Sequence, residues 1–249
     1  MSESPALPAL KAHLAGFAGA APAARFAVGD ARLDAALGGG LARAHLHEVW
    51  PAQAADAVGA SGFALMLARR AAAGSGPIVW LAEERSQRRQ GPLYGPGLAE
   101  LGLDPARLLF VQAPDDAALL RAAGDVVRSP AAGVLVIAPA APATFDLTAT
   151  RRLTLFAERS GVTAILLRPA DPQSPSAAAT RWRVAAAPSR ALDANAPGAP
   201  ALWVELLRQR GGRPAPPVRL EWDRDRGRFA PLSGAVPADA GGGLLAGVA

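Results

Sequence analysis

From His45 onward the apolar residues fall alternately into short unbroken runs and into runs spaced three or four apart, the signatures of buried strands and amphipathic helices. A strand over His45–Trp50 is followed by a helix from about Gly59 to Ala73, with Phe63, Leu67 and Ala71 on one face and Gly74 as its stop. A second strand, Pro77–Glu84, leads into the charged segment Arg85–Gln90. A turn and a short helix ending near Gly102 precede a strand at Leu108–Gln112 and a helix over Asp115–Arg128. The segment Ala132–Pro139 is wholly apolar, the pattern of a strand buried on both faces. Asp146 is placed to cap a helix carrying Ala149, Leu153 and Phe156 that Gly161 closes, and Val162–Pro169 is another buried strand. Strands separated by helices of roughly ten to fifteen residues require crossover connections. The expected fold is therefore α/β, with a mostly parallel, helix-covered sheet.

The two ends of the chain read differently. Residues 1–27 form an arm, in which Leu7, Leu10, Leu14 and Phe17 recur at helical spacing before an Ala/Pro linker at 20–24. Residues 28–190 make the core. Strand-like segments at 180–188, 201–210 and 217–225 are separated by Gly/Pro turns and predict an antiparallel extension of the sheet, the extension proper covering 191–230. Residues 231–249, rich in Gly and Ala, read as a disordered tail.

With 51% hydrophobic and 19% charged residues, the 249-residue chain has an ordinary globular composition. The absence of cysteine excludes a disulfide framework, a thiolate metal site and a cysteine nucleophile, and three histidines are too few for a His-rich metal cluster. Neither a signal-peptide pattern nor an apolar run of transmembrane length is present, so the expectation is a cytoplasmic protein with no membrane partner. The net charge of +5 is unevenly placed: residues 151–190 hold seven arginines against two acids. Such a window is a candidate footprint for nucleic acid or an acidic protein surface, although GC-rich coding also enriches arginine at lysine's expense.

Lysine usage bears on the most recognisable stretch. Gly38, Gly39 and Gly40 lead into the first strand, and the segment after it reads PAQAADAVGASGFAL. In a phosphate-binding α/β domain this position carries a Gly-rich loop ending in Lys-Ser or Lys-Thr, whose amides and lysine hold the phosphates. The only lysine in the chain is Lys11, far from that position.

The order of these parts resembles the RecA-like ATPase core. More closely, LGGGLARAHLHEVW, GPLYGPGLAELGLDPARLL, TRRLTLFAERSG, SPSAAATRWRV and WVELLRQRGG are similar to segments of the ImuA family, over about residues 26–230. That resemblance implies a RecA-like core and a role in SOS-induced mutagenic translesion DNA synthesis. It implies as partners a Y-family-like polymerase homologue of the ImuB type and an error-prone replicative-type polymerase, with RecA and single-stranded DNA as further candidates. Matched to the RecA-like pattern, Pro51–Gly59 takes the place of the phosphate loop, with Asp56 at its glycine, Ala57 at its lysine and Val58 at its hydroxyl residue. Ala138 stands where a metal-orienting aspartate would end the apolar strand. Only Glu83, at the position of the water-activating carboxylate, survives as a vestigial catalytic candidate. The expectation is a pseudo-ATPase with no cofactor and no metal.

The other candidates each carry a plain structural alternative. Arg151 and Arg152 open the basic window on a predicted helix, as solvated charges or as a face for DNA or a partner. Arg181 and Arg183 flank Trp182 after a loop that the resemblance places against single-stranded DNA, and arginines beside an aromatic suit phosphate tracking and base stacking. The same alternation equally allows Trp182 in the core with both arginines outward. Tyr94, among the turn formers of GPLYGPG, is a structural turn or a partner-docking loop. His45 and His47 share one face of a strand, with no third ligand placed near them. The leading expectation is a non-catalytic, RecA-like adaptor in mutagenic translesion synthesis, and two rival functions stand beside it. One is a divergent DNA-stimulated ATPase using Arg69, Arg70 or Arg85 for the missing lysine, against which arginine's wide fork argues. The other is a SulA-like cell-division inhibitor, which leaves the arginine window unexplained.

Overall fold

The computed structural model describes residues 24–72, 76–169, 174–196 and 198–232. The arm helix through Leu7–Phe17, the Gly74 stop and the tail from residue 233 lie outside the described residues. In chain order the elements are β1 (Arg25–Phe26), α1 (Ala31–Ala36), β2 (Leu41–Ala42), β3 (Leu46–Pro51), α2 (Ala57–Ala71), β4 (Ile78–Glu83), α3 (Glu84–Gln90) and α4 (Gly95–Glu100). They continue as β5 (Leu108–Ala113), α5 (Asp116–Arg128), β6 (Val134–Ala138), α6 (Leu147–Ser160), β7 (Thr163–Leu167), β8 (Thr180–Ala186), β9 (Ala201–Gln209), β10 (Ala215–Asp223) and β11 (Arg228–Pro231).

The principal sheet has nine strands in the order β11-β10-β9-β8-β3-β7-β6-β4-β5. From β8 to β5 every neighbour pair is parallel, and from β8 to β11 every pair is antiparallel. The α/β class, the parallel core and the C-terminal antiparallel extension are as the hydrophobic pattern predicts. One sheet runs without a break across residues 190 and 191, because β9 pairs along β8 from Thr180 to Ala186.

Helices cover both faces. On one, Phe63 and Leu67 of α2 pack with Val49, Ile165, Trp182, Trp222 and Phe229. On the other, Leu119, Ala123 and Val127 of α5 and Leu153 and Ala157 of α6 pack with Leu46, Ala164 and Leu166. Residues of β6 and β7 alternate between the two cores, which is why these strands read as continuous apolar runs. Local capping sets the helix starts: the Asp115 carboxylate accepts the Ala118 amide at 2.7 Å and the Asp146 carboxylate accepts that of Ala149 at 2.8 Å. Gly161, left-handed at φ 85°, ends α6.

Three features go beyond the sequence pattern. The charged segment after β4 is the helix α3. A short strand, β11, returns from β10 through a tight turn. The ribbon β1–β2 has two residues per strand, too short for any periodicity to show. Gly40 makes that ribbon possible, since at φ 116° a β-carbon there would fall 2.2 Å from the Phe26 carbonyl oxygen.

Candidate functional site at the carboxyl ends of the parallel strands

In parallel α/β sheets ligands bind in the crevice beyond the carboxyl ends of the strands. Here β3 runs into a single 3-10 turn, Ala54–Asp56, and then directly into α2. Asp56, buried, is the residue before the helix, and its Oδ1 accepts the Ala186 amide at 2.9 Å. The Ala52 amide donates to the Val184 carbonyl at 2.7 Å, so the whole turn is pinned to β8. A carboxylate at this end of a helix is favoured by the helix dipole, which elsewhere would favour a phosphate. Ala57 starts α2, and Val58 is exposed. The three positions matched to glycine, lysine and a hydroxyl residue thus hold a carboxylate, a methyl and an isopropyl group. The void among Ala57, Ser61, Ala138 and Pro139 is about 20 Å³, room for roughly one water molecule.

Glu83, at the end of β4, is wholly buried. Its Oε2 accepts the amides of Arg85 at 2.8 Å and Ser86 at 3.1 Å, and its Oε1 accepts the Arg85 guanidinium Nε at 3.1 Å. The carboxylate is the N-cap of α3, with both oxygens engaged in holding that helix. Beside it, Ala82 of β4 is in register with Ala138 of β6, so the sheet presents two methyl groups where a metal-orienting acid would project.

An apolar cleft of about 310 Å³ adjoins these strand ends, lined by Trp80, Ala82 and Leu98 and rimmed by Val58, Tyr94 and Phe110. Tyr94 is the residue before α4 and is 71% exposed, with its ring facing outward. Phe110 lies on β5, the outer strand of the parallel half.

The trio at β8 is placed differently from the DNA-facing expectation. Trp182 is core: its ring packs 5.8 Å from that of Phe63 and its Nε1 donates to Thr180 Oγ1 at 2.8 Å. An indole so placed has no face to offer a base. Arg181 is buried too, its Nε 3.1 Å from Glu48 Oε2, and burial, chiefly, lowers its pKa against the opposing pull of Glu48. Arg183, partly exposed, lies 3.4 Å from Glu205 across the β8–β9 pair. Burial pushes the Glu205 pKa up, opposed by Arg183. Trp182 in the core is the plain alternative, but Arg181 departs from it by turning inward, and the base-stacking surface fits neither residue. A carboxylate inside β3 draws Arg181 inward.

That carboxylate is Glu48. Arg168 Nη2 donates to its Oε1 at 2.9 Å and Ser176 Oγ at 2.7 Å, while the guanidinium groups of Arg168 and Arg181 lie 5.7 and 5.2 Å from the centre of the Trp50 ring. The cluster organises the end of the segment before β8: Arg208 donates to the Ser176 carbonyl at 3.0 Å, and Thr150 Oγ1 accepts the Ala177 amide at 3.2 Å. The one sequence signal for it was a glutamate, beside His47, inside a strand that reads as buried.

Arg151 and Arg152 are exposed on α6. Arg69 and Arg70 occupy the last turn of α2, the end away from Asp56. There Arg69 Nε donates to the Gly102 carbonyl at 2.6 Å and Arg70 Nη1 to that of Gly227 at 2.8 Å. With Arg85 on Glu83, each arginine considered as a lysine substitute has a structural assignment elsewhere. His47 is buried between Thr180 and Ala42, and His45 bonds the Arg43 carbonyl at 2.8 Å. Among the described residues no three His, Asp or Glu side chains are grouped to hold a metal ion, and no helix is long and apolar enough to cross a membrane.

Fold and site together define a helix-covered, mostly parallel α/β protein in which a buried carboxylate, Asp56, stands between β3 and α2. No protein-family model matches the chain. Protein ImuA from two strains of Caulobacter vibrioides is 38% identical to it over 191 residues, covering 71% of this chain and 75% of the relative. The chain belongs to the ImuA family.

Proposed function

We propose that this protein is a non-catalytic, RecA-like adaptor in damage-induced mutagenesis, acting within SOS-dependent translesion DNA synthesis. Its partner is a Y-family-like polymerase homologue, alongside an error-prone replicative-type polymerase and RecA. The family supports the process, and the strand order with its filled loop supports the non-catalytic character. The observation that carries the reading is Asp56: a buried carboxylate hydrogen-bonded to Ala186 occupies the ground where a nucleotide's phosphates would lie. A phosphate brought there would face a like charge, with no lysine to offset it. Single-stranded DNA, if bound by the protein itself, has Arg151 and Arg152 to meet rather than Trp182.

Titration calorimetry of the full chain with magnesium and ATP, with and without an oligothymidylate, tests this directly. The expected result is no nucleotide binding at micromolar concentration and no hydrolysis. Micromolar binding that is lost on changing residues 51–59, or DNA-stimulated hydrolysis, replaces the adaptor with a divergent ATPase. Co-purification from damaged cells with a tubulin-like division protein and no polymerase would favour the division-inhibitor reading.

A further inference from the structure

We propose that the groove between α5 and α6 is a docking site for an acidic amphipathic helix of a protein partner. This deepens the adaptor reading, and rests on it only in requiring such a partner. The groove has a volume of about 410 Å³, with Leu120, Leu153 and Phe156 in its floor and Arg121, Arg128 and Arg152 at its rim. It lies against the core that α5 and α6 form, on the other face of the sheet from the core that carries the Tyr94 cleft.

Gly124 is the first indication that the groove receives something. It sits inside the thirteen-residue helix α5, where glycine is the poorest helix former after proline. Leaving aside its two chain neighbours and its own helix backbone, no atom lies within 4 Å of where its β-carbon would be. Nothing described in this chain requires the missing side chain. Its absence keeps the wall of the groove low, so that another backbone or side chain can approach α5 closely.

Charge specifies the visitor. Arg121 and Arg152 are exposed, and among the described residues neither has an ion-pair or hydrogen-bond partner. Arg128 pairs with Asp125 and lies 5.1 Å from the Phe156 ring centre. The acid lining the groove, Asp146, is occupied in capping α6. With Arg121, Arg128 and Arg152 set against Asp125 and Asp146, the opening is net positive, and Arg151 is a further exposed arginine on α6. An apolar floor between two cationic banks suits a helix with one apolar stripe flanked by Glu or Asp. Nucleic acid is the competing occupant, and the oligothymidylate below tests it.

The test uses the full-length protein and three labelled probes: a helical peptide of about sixteen residues with a leucine stripe flanked by glutamates, its lysine-for-glutamate counterpart, and an oligothymidylate. Fluorescence anisotropy should show the glutamate peptide bound and the other two not. Arg121→Glu combined with Arg152→Glu should weaken that binding at least about tenfold, as should Gly124→Leu, which raises the groove wall. Gly124→Ala should raise the melting temperature by removing a helix-interior glycine and should weaken binding by less than Gly124→Leu; the fold control is an unchanged melting temperature of the Arg121→Glu, Arg152→Glu protein, both sites being exposed. Equal binding of the lysine peptide, no binding of the glutamate peptide, or Arg152-dependent binding of the oligothymidylate would each overturn the proposal. None of these outcomes bears on the ATP titration, so a failed groove and a failed nucleotide reading are distinguishable.

Discussion

The Asp56 carboxylate accepts the Ala186 amide at 2.9 Å, which fastens the turn before α2 to the end of β8. The contact joins residues 130 apart in sequence across the end of the sheet. Replacing Asp56 with alanine leaves the Ala186 donor without its partner, at a cost of about 1–3 kcal/mol. Asp56→Asn keeps an acceptor oxygen and should lose less. Urea unfolding of the two variants checks the order, and an Asp56→Ala protein as stable as the parent would remove the structural role assigned to this carboxylate.

Glu83 makes a prediction that separates a cap from a catalyst. Glu83→Ala removes the acceptor for the Arg85 and Ser86 amides and should destabilise the protein by roughly 1–2 kcal/mol. Glu83→Gln keeps an acceptor and should fall between the two. Thermal melts decide it; melting points that coincide across all three proteins would mean that α3 does not depend on this cap.

The sequence showed most of what repeats and little of what is specific. Val134–Ala138 and Thr163–Leu167 were legible because strands buried on both faces leave no polar position. Asp146 and Gly161 were legible because caps are local. The absence of a Gly-rich Lys-Ser or Lys-Thr segment after the first long strand was legible too, since it rests on the identities of Asp56, Ala57 and Val58 rather than on contacts. The partnership of Glu48 with Arg168 and Arg181 was not, because it joins β3 to β8 and to the residue after β7, each more than a hundred positions beyond Glu48. Once a glutamate is buried in β3, arginines on neighbouring strands turn inward to meet it. Periodicity alone would have turned Arg181 toward solvent. The α5–α6 groove was hidden for the same reason, as only the packed helices bring Arg121 and Arg152 to one opening.

The arginine window should therefore divide under mutation. Removing Glu48 as Glu48→Ala leaves Arg168 and Arg181 buried without their carboxylate, a loss of about 3–5 kcal/mol. Arg151→Ala, on the exposed face of α6, should stay within about 0.5 kcal/mol of the parent. Trp182→Ala empties a fully buried site beside Phe63 and should cost about 3–5 kcal/mol. Denaturant midpoints read all three. A mild Trp182→Ala accompanied by loss of binding to an oligothymidylate would restore the DNA-facing role that its burial argues against.

His47 makes the fold sensitive to acid. Its Nε2 donates to the Ala42 carbonyl at 2.8 Å, so Nδ1 accepts from the Thr180 hydroxyl at 2.7 Å, and that hydroxyl in turn accepts from the Trp182 indole at 2.8 Å. The chain of donors and acceptors closes only with a neutral imidazole. Burial is the main cause that lowers the His47 pKa from 6.5 to about 4, with the Ala42 bond opposing it and His45 adding to it. Unfolded, the same side chain takes up its proton near 6.5, so between these values the unfolded chain binds more protons than the folded one. Stability is therefore full above pH 6.5 and declines as pH falls toward 4, by roughly 3 kcal/mol over the window. Carboxylates contribute their own loss in acid, so the informative quantity is the difference between parent and His47→Gln. The variant should be less stable at pH 7.5 yet lose less on going to pH 4.5. Parallel urea titrations at the two pH values that gave equal losses would show that His47 is not the group responsible.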